Sequence, residues 1–192
     1  TQWPSSAASD VYKRQYMDPE KKVNGISIVT SPYNQFENPL YSNNKIIGTY
    51  VNSIMALHDA IERGSDEALL LDSNENISEG SGENLFIVKD EELITPTPDN
   101  CLNGITRQSI IKIAQDENID VIEKKLKYED LVDADEAFFT GTAVEVTPIS
   151  KVDETTIGDS MIGPITKKLQ KIFTDTVTNK NKKYAHWLDP IN

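Results

Sequence analysis

The sequence has a single cysteine, Cys101, among its 192 residues. One thiol cannot form an internal disulfide, and it cannot build a metal cluster that needs several cysteines. The two histidines likewise supply few ligands, so we expect no metal site and no histidine-centred catalytic triad. A lone thiol fits a reducing compartment, and we predict a cytoplasmic protein.

Long apolar runs and an excess of basic residues are also missing. No stretch approaches the roughly 20 apolar residues that cross a bilayer, and the first residues do not form a secretory signal. The 31 acidic residues outnumber the 19 basic ones, which gives a net charge of −12. Because nucleic-acid phosphates bind clustered Lys and Arg, we expect neither a nucleic acid nor a membrane as partner.

The N-terminus lacks both an initiator methionine and any regular periodicity. Residues 5–15 are similar to the in-frame translation of an adapter used in sequencing libraries. We therefore expect residues 1–15 to be a disordered artefact, excluded from fold reasoning. On this interpretation, the natural gene product extends further upstream.

Apolar periodicity predicts an alternation of strands and helices from residue 16 onwards. Val23 to Val29 can form a strand within a lead-in segment, residues 16–44, and residues 45–192 are expected to form one large domain. The predicted helices are 50–63, one that begins near Thr106, 128–134 and one striped by Ile165 to Val177. The predicted strands are 67–72, 84–89, 93–95, 119–127, 136–140 and 144–149. Because this alternation has no strict βαβ rhythm, we predict a mixed α/β (α+β) domain.

Familiar dinucleotide, P-loop, zincin and serine-hydrolase motifs are absent, which leaves three places for chemistry. Cys101 to Arg107 opens an amphipathic helix, where free backbone N–H groups and Gly104 can form an anion site. Thr140 to Ala143 follows an apolar strand and offers small, hydroxyl-bearing residues. Each also has a purely structural interpretation, in which Thr106 is an N-cap and Gly141 a turn residue.

The third place is the glycine-rich stretch Ser78 to Asn84. Glycines there allow a ligand to approach the backbone, and a carboxylate such as Glu79 could hold a protonated ring nitrogen. On periodicity alone, however, a hairpin loop with solvated acids is the favoured interpretation.

Four segments in order resemble one family. They are KIIGTYVNS from Lys45, ISEGSGENLF from Ile77, LNGITR from Leu102 and FTGTAVEVTP from Phe139. Together they resemble the branched-chain amino acid aminotransferases, which are fold-type IV pyridoxal-phosphate enzymes. The resemblance extends over residues 16–192 and implies the large C-terminal, cofactor-binding domain of that fold. It also implies that the small N-terminal domain is missing.

The resemblance implies roles for individual residues toward pyridoxal 5′-phosphate. Lys45 matches the lysine that forms the internal aldimine and moves the substrate proton. Tyr50 matches the tyrosine beside the phenolic oxygen, and Glu79 the carboxylate that pairs with the pyridinium nitrogen. Leu102 matches the side chain packed on the ring.

The resemblance also implies where the phosphate and the substrate bind. Ile105 and Thr106, with Gly104 before them, match the phosphate cup. Thr142 matches a second phosphate contact, and Gly141, Thr142 and Ala143 match the contacts to the substrate carboxylate. Three neighbouring residues belong to the same motifs, namely Glu83, Asn84 and Arg107. For these we expect structural roles or roles that support the residues in contact with the cofactor.

The implied activity is transamination of Leu, Ile and Val with 2-oxoglutarate, by a homodimer or larger homo-oligomer. D-amino acid aminotransferase and aminodeoxychorismate lyase share the implied lysine and glutamate, so they stay open as alternatives. A non-catalytic phosphate-ester or vitamin-binding module would keep Thr106 and Thr142 without needing Lys45. Since the implied N-terminal domain is missing, we expect this chain alone to transaminate poorly.

Overall fold

The computed structural model describes residues 18–38, 44–99, 101–159 and 161–189. The predicted adapter, residues 1–15, lies outside the described residues, and so does part of the predicted lead-in segment. All statements below concern the described residues.

Five α-helices are present within this part of the chain. They are α1 (Pro19–Asn24), α2 (Tyr50–Glu62), α3 (Ile105–Asp116), α4 (Tyr128–Val132) and α5 (Pro164–Val177). Two 3₁₀ segments, Ile47–Thr49 and Lys182–Trp187, lie before α2 and after α5. Glu136 accepts hydrogen bonds from the backbone amides of Ile165 (3.0 Å) and Thr166 (2.7 Å), and so caps α5 from the sheet.

The described strands are β1 (Ile26–Thr30), β2 (Glu67–Leu71), β3 (Ile77–Gly80), β4 (Asn84–Lys89), β5 (Glu92–Thr95), β6 (Val121–Glu123), β7 (Glu136–Gly141), β8 (Glu145–Val152) and β9 (Thr155–Thr156). They form one mixed sheet in the order β3-β2-β1-β8-β7-β4-β5-β6, with β9 paired to β8. The sheet curls, because Ile77 at one edge pairs with Leu126, just beyond β6 at the other.

The curled sheet has apolar side chains on both faces. On β4, Leu85 and Ile87 join one core cluster together with residues from β1, β2, β7 and β8. Phe86 and Val88 point to the opposite face and pack beneath α3 and α5. This alternation follows from the two-residue period of a strand. A third, smaller cluster packs Ala56 and Ala60 of α2 against β1 and β2.

These elements confirm the mixed α/β prediction and most of the predicted helices and strands. Three expectations are wrong. Val23 lies in α1 rather than in the strand that begins at Ile26, and the strand predicted over 119–127 is confined to Val121–Glu123. Residues 77–80 form a strand rather than part of a polar loop. Ile77 is 3% exposed in the core, and Glu79 lies opposite Leu70 in antiparallel pairing with β2. Burial of Ile77 and pairing with β2 override the weak strand propensity of Ser and Gly.

The predicted lead-in segment contributes directly to the sheet. Its strand β1 lies between β2 and β8 and pairs in parallel with both.

No helix of the described residues has the length and apolar character needed to cross a bilayer. The same residues contain no group of three or more His, Cys, Asp or Glu side chains that could hold a metal ion.

Candidate active site

Glu79 of β3 presents a largely buried carboxylate. Its Oε1 accepts a hydrogen bond from Gln35 Nε2 (2.5 Å), and its Oε2 accepts from the backbone amide of Leu102 (3.1 Å) and Asn84 Nδ2 (3.3 Å). Burial raises the pKa of Glu79 to about 7, against the lowering effect of the Leu102 and Gln35 donors. The interpretation of this stretch as a loop with solvated acids is therefore wrong for Glu79.

Lys45 and Tyr50 lie in the same cleft as Glu79. We call it the lysine cleft, lined by Gln35, Lys45, Tyr50, Glu79, Asn84, Leu102 and their neighbours. Tyr50 is the first residue of α2 and is half-buried. Lys45 is exposed, and within the described part of the chain its amine makes no ion pair or hydrogen bond. The amine is therefore available to a ligand in the cleft.

Asn84 connects Glu79 to the segment before α3. Besides Glu79, its Nδ2 donates to the carbonyl of Leu102 at 2.7 Å. Gly104 packs so closely on this side chain that a Cβ added there would lie 2.5 Å from Asn84 Oδ1. The glycine is therefore required by a close approach, and its φ of −64° is open to any residue.

The start of α3 keeps its backbone N–H groups free. Gly104 is the N-cap, and within the described residues no side chain caps the helix. The first amide that donates within this helix is that of Gln108, to the carbonyl of Gly104 at 3.0 Å. The interpretation of Thr106 as the N-cap is therefore wrong, because this residue lies inside the helix and is 7% exposed. The N–H groups of Ile105 and Thr106 remain available to an anion.

Thr106 and Thr142 line a second cleft. This threonine cleft is bounded by Ile105, Thr106, Ser109, Thr142, Trp187, Leu188 and the end of α5. Gly141 ends β7 and pairs with Glu145, so Thr142 and Ala143 project from a short hairpin and are exposed. Gly104, Gly141 and Ala143 line neither cleft themselves but adjoin residues that do.

The two remaining motif residues, Arg107 and Glu83, make contacts within the fold, and Glu83 also lines the lysine cleft. Arg107 is 2% exposed and donates to the carbonyl of Pro96 (2.9 Å) and to Glu123 (2.6 Å), so it anchors the start of α3 to β6. Glu83 lies beneath the turn that follows β3 and accepts from the amide of Gly82 at 2.9 Å. Burial and the neighbouring Glu67 raise the pKa of Glu83 to about 8.

Sequence reasoning missed two members of this region. Gln35 lies in the predicted lead-in segment, 44 residues before its hydrogen-bond partner Glu79. Glu67 at the start of β2 is 8% exposed and shares a side-chain hydrogen bond with Glu83. Glu67 sits at a strand position where alternation with Leu69 indicates burial, whereas no local pattern marks Gln35.

Comparison with known proteins places this site in a family. Residues 4–152 match the family described as Amino-transferase class IV. The chain is 44% identical over 173 residues to the branched-chain-amino-acid aminotransferase of Pseudomonas aeruginosa, covering 90% of this chain and 56% of that protein. It is 41% identical over 179 residues to the probable branched-chain-amino-acid aminotransferase of Aquifex aeolicus, covering 92% of this chain and 57% of that protein.

Solved structures that are similar to this chain include further branched-chain aminotransferases. The T.th. branched-chain amino acid aminotransferase with pyridoxamine 5′-phosphate matches with a TM-score of 0.88 and 39% identity, over 92% of this chain and 58% of that one. The branched-chain aminotransferase of Thermoproteus uzoniensis with norvaline matches with a TM-score of 0.85 and 40% identity, over 93% of this chain and 58% of that one. The chain thus spans just over half the length of these relatives. Since the family match covers well over half of the chain, the chain belongs to the class IV aminotransferases.

Proposed function

We propose that this chain supplies the cofactor-binding part of an enzyme that transfers the amino group of Leu, Ile and Val to 2-oxoglutarate, with pyridoxal 5′-phosphate as cofactor. The relatives named above are branched-chain aminotransferases, and one was solved with pyridoxamine 5′-phosphate. The observation that carries the proposal is the lysine cleft, in which an available amine, Lys45, lies with a buried carboxylate, Glu79.

The residues present fit this cofactor. Its ring nitrogen carries a proton and needs an anion, which the carboxylate of Glu79 can supply. Its phosphate needs backbone donors, which the uncapped start of α3 offers. Gly104 lies against Asn84 between the place proposed for the ring and the place proposed for the phosphate, and this close approach leaves no room for a side chain. We therefore propose Glu79 and Tyr50 for the ring, Leu102 for its face, and Ile105, Thr106 and Thr142 for the phosphate.

When bound, pyridoxal phosphate supplies an electron sink for the charge that develops at the substrate α-carbon. Lys45 then has two tasks, to hold the cofactor covalently at rest and, once freed as a neutral amine, to take the proton from the α-carbon. Glu79 keeps a negative charge against the ring nitrogen and so favours the protonated ring. Gly141, Thr142 and Ala143 are proposed to bind the carboxylate of the amino acid.

Covalent labelling tests the assignment of Lys45. We expect pyridoxal phosphate followed by borohydride to attach one label to Lys45, located by peptide mass spectrometry. Lys45→Ala should lose the label at least tenfold, because Lys45 lines the cleft that holds Glu79, the carboxylate proposed to pair with the ring nitrogen. The matched control is Lys125→Ala, which removes another exposed lysine and should keep the label. Labelling that persists in Lys45→Ala would contradict the assignment.

Substrate assays test the reaction class. We expect amino transfer from valine to 2-oxoglutarate by this chain joined to the N-terminal part of a relative, and weak transfer by this chain alone, because the chain spans just over half the length of its relatives. Transfer confined to D-amino acids would favour a D-amino acid aminotransferase, and cleavage of aminodeoxychorismate would favour the lyase. Cofactor binding with no turnover of any of these substrates would favour a binding module.

The wider assignments belong to the same proposal. We propose residues 45–192 as the cofactor-binding domain, together with β1 of the segment 16–44, because β1 pairs within the same sheet. A homodimer would cover the apolar side chains of Val51 and Ile54, which are 61% and 64% exposed on α2. The buried, unpaired Cys101 fits a reducing cytoplasm.

A further inference from the structure

The carboxylate of Glu79 is held by donors from three separate segments of the chain. Two of these donors, Leu102 and Asn84, belong to the motifs that resemble the family. Both bind Oε2, and the bond from Asn84 is long at 3.3 Å, whereas the same Nδ2 donates to the carbonyl of Leu102 at 2.7 Å. The other oxygen, Oε1, receives its hydrogen bond from Gln35 at 2.5 Å.

The side-chain amide of Gln35 can point only one way. Its Oε1 accepts a hydrogen bond from the backbone N–H of Phe36 at 2.9 Å. A flipped amide would lose that bond and would direct its oxygen at the carboxylate of Glu79. The hydrogen-bond network therefore fixes Gln35 as a donor to Glu79.

The backbone that carries Gln35 is anchored to the strand next to Glu79. The amide of Ser31 donates to the carbonyl of Leu69 (2.9 Å), and the amide of Gln35 donates to the carbonyl of Leu71 (2.8 Å). The chain from residue 31 to residue 35 thus continues along β2, which pairs with β3 through Leu70 and Glu79. Gln35 is held by the same sheet that holds its acceptor.

A neutral donor favours the ionised form of a buried carboxyl group. Burial alone disfavours that form, and the donors oppose it by binding the negative charge. Gln35 does this without adding a positive charge, which would compete with a cationic ring for Glu79. The amide also limits the orientations open to Oε1.

We propose that Gln35 is a positioning residue that keeps the carboxylate of Glu79 ionised and correctly oriented for the ring nitrogen of the cofactor. This inference rests on the proposed function, because the role of Glu79 toward the cofactor belongs to that proposal. Gln35 itself acts through Glu79.

The test uses Gln35→Met, which keeps the length of the side chain and removes the donor, and Gln35→Glu, which replaces it with a second acid. The first readout needs no cofactor: the pKa of Glu79, followed by NMR of glutamate labelled with ¹³C at the carboxyl carbon. The Glu79 signal is assigned by its absence in Glu79→Gln. We expect the pKa of Glu79 to rise by about one pH unit in Gln35→Met and further in Gln35→Glu.

The second readout is the dissociation constant for pyridoxal phosphate at pH 6 and pH 8. We expect about tenfold weaker binding at pH 6 in Gln35→Met and a loss of only about twofold at pH 8, where Glu79 is largely ionised in the unaltered chain and about half ionised in the variant. Gln115→Leu, on the exposed face of α3, is the control and should change neither readout. Circular dichroism checks that all variants fold.

The two readouts separate failure of this inference from failure of the proposed function. An unchanged pKa of Glu79 in both Gln35 variants would overturn the inference, whatever the cofactor does. A raised pKa with unchanged cofactor affinity would overturn the role of Gln35 toward the cofactor. If the unaltered chain fails to bind pyridoxal phosphate, both alone and joined to the N-terminal part of a relative, the proposed function falls and the cofactor role of Gln35 falls with it.

Discussion

Replacing Glu83 by Gln should remove most of the pH dependence of stability that Glu67 and Glu83 cause together. Their side chains are hydrogen-bonded to each other and largely buried beneath the turn after β3. Two carboxylates in contact cannot both ionise without strong repulsion. The pair therefore retains a proton at a pH where exposed glutamates have lost theirs, and it titrates as a unit.

The sign of the effect follows from the direction of the shift. Burial, with repulsion from Glu67, raises the pKa of Glu83 from 4.5 to about 8. The folded state thus keeps a proton that the unfolded chain releases above pH 4.5, so the free energy of unfolding falls as pH rises through this window. At 1.36 kcal/mol for each pH unit, the upper limit for Glu83 is about 5 kcal/mol.

Glutamine keeps the size of the side chain and can still donate to Glu67, but it has no acidic proton to lose. Urea unfolding at pH 5.5, 6.5, 7.5 and 8.5 measures the effect. We expect the free energy of unfolding to fall steeply with pH in the unaltered chain and much less in Glu83→Gln. Some fall of the same sign remains, because Glu79, with a pKa raised to about 7, titrates in both proteins.

Glu154→Gln is the matched control, since the Glu154 side chain is 97% exposed. It should reproduce the pH slope of the unaltered chain. Equal slopes for Glu83→Gln and the unaltered chain would refute the reasoning, because the buried pair would then carry no retained proton. A free energy of unfolding that rises with pH in the unaltered chain would refute the sign.

Two further substitutions test the packing near the cleft. Gly104→Ala places a methyl group 2.5 Å from Asn84 Oδ1. We therefore expect urea unfolding to show a free energy of unfolding lower by about 1–3 kcal/mol, and we expect weaker binding of pyridoxal phosphate. An unchanged free energy of unfolding would show that Asn84 has room to move. Ser78→Ala removes a buried hydroxyl with no partner among the described residues, and we expect it to raise the free energy of unfolding by about 1 kcal/mol. A loss of stability in Ser78→Ala would instead indicate a partner for the hydroxyl, such as water.

Most of the helices and strands could be predicted because their signals are local, whereas the short helix α1 was not predicted. Tyr50 to Glu62 and Asn84 to Lys89 follow the predicted bounds within one residue, since periodicity and turn residues lie within a few positions of each other. The strand at 77–80 was missed because its formation depends on pairing with β2 rather than on Ser and Gly. The contact between Gln35 and Glu79 has no local signal at all.

The assembly of the site depends on strand order, which the sequence pattern does not specify. β4 pairs with β7 as well as with its chain neighbour β5, and in that pairing Asn84 lies opposite Thr140. Thr140 directly precedes Gly141, and a Cβ on Gly141 would lie 3.4 Å from the carbonyl of Gly82. The motif that contains Glu79 and the motif that contains Thr142 therefore lie side by side where β4 pairs with β7. A slip of one residue would turn Asn84 to the other face of the sheet and separate the carboxylate of Glu79 from the start of α3.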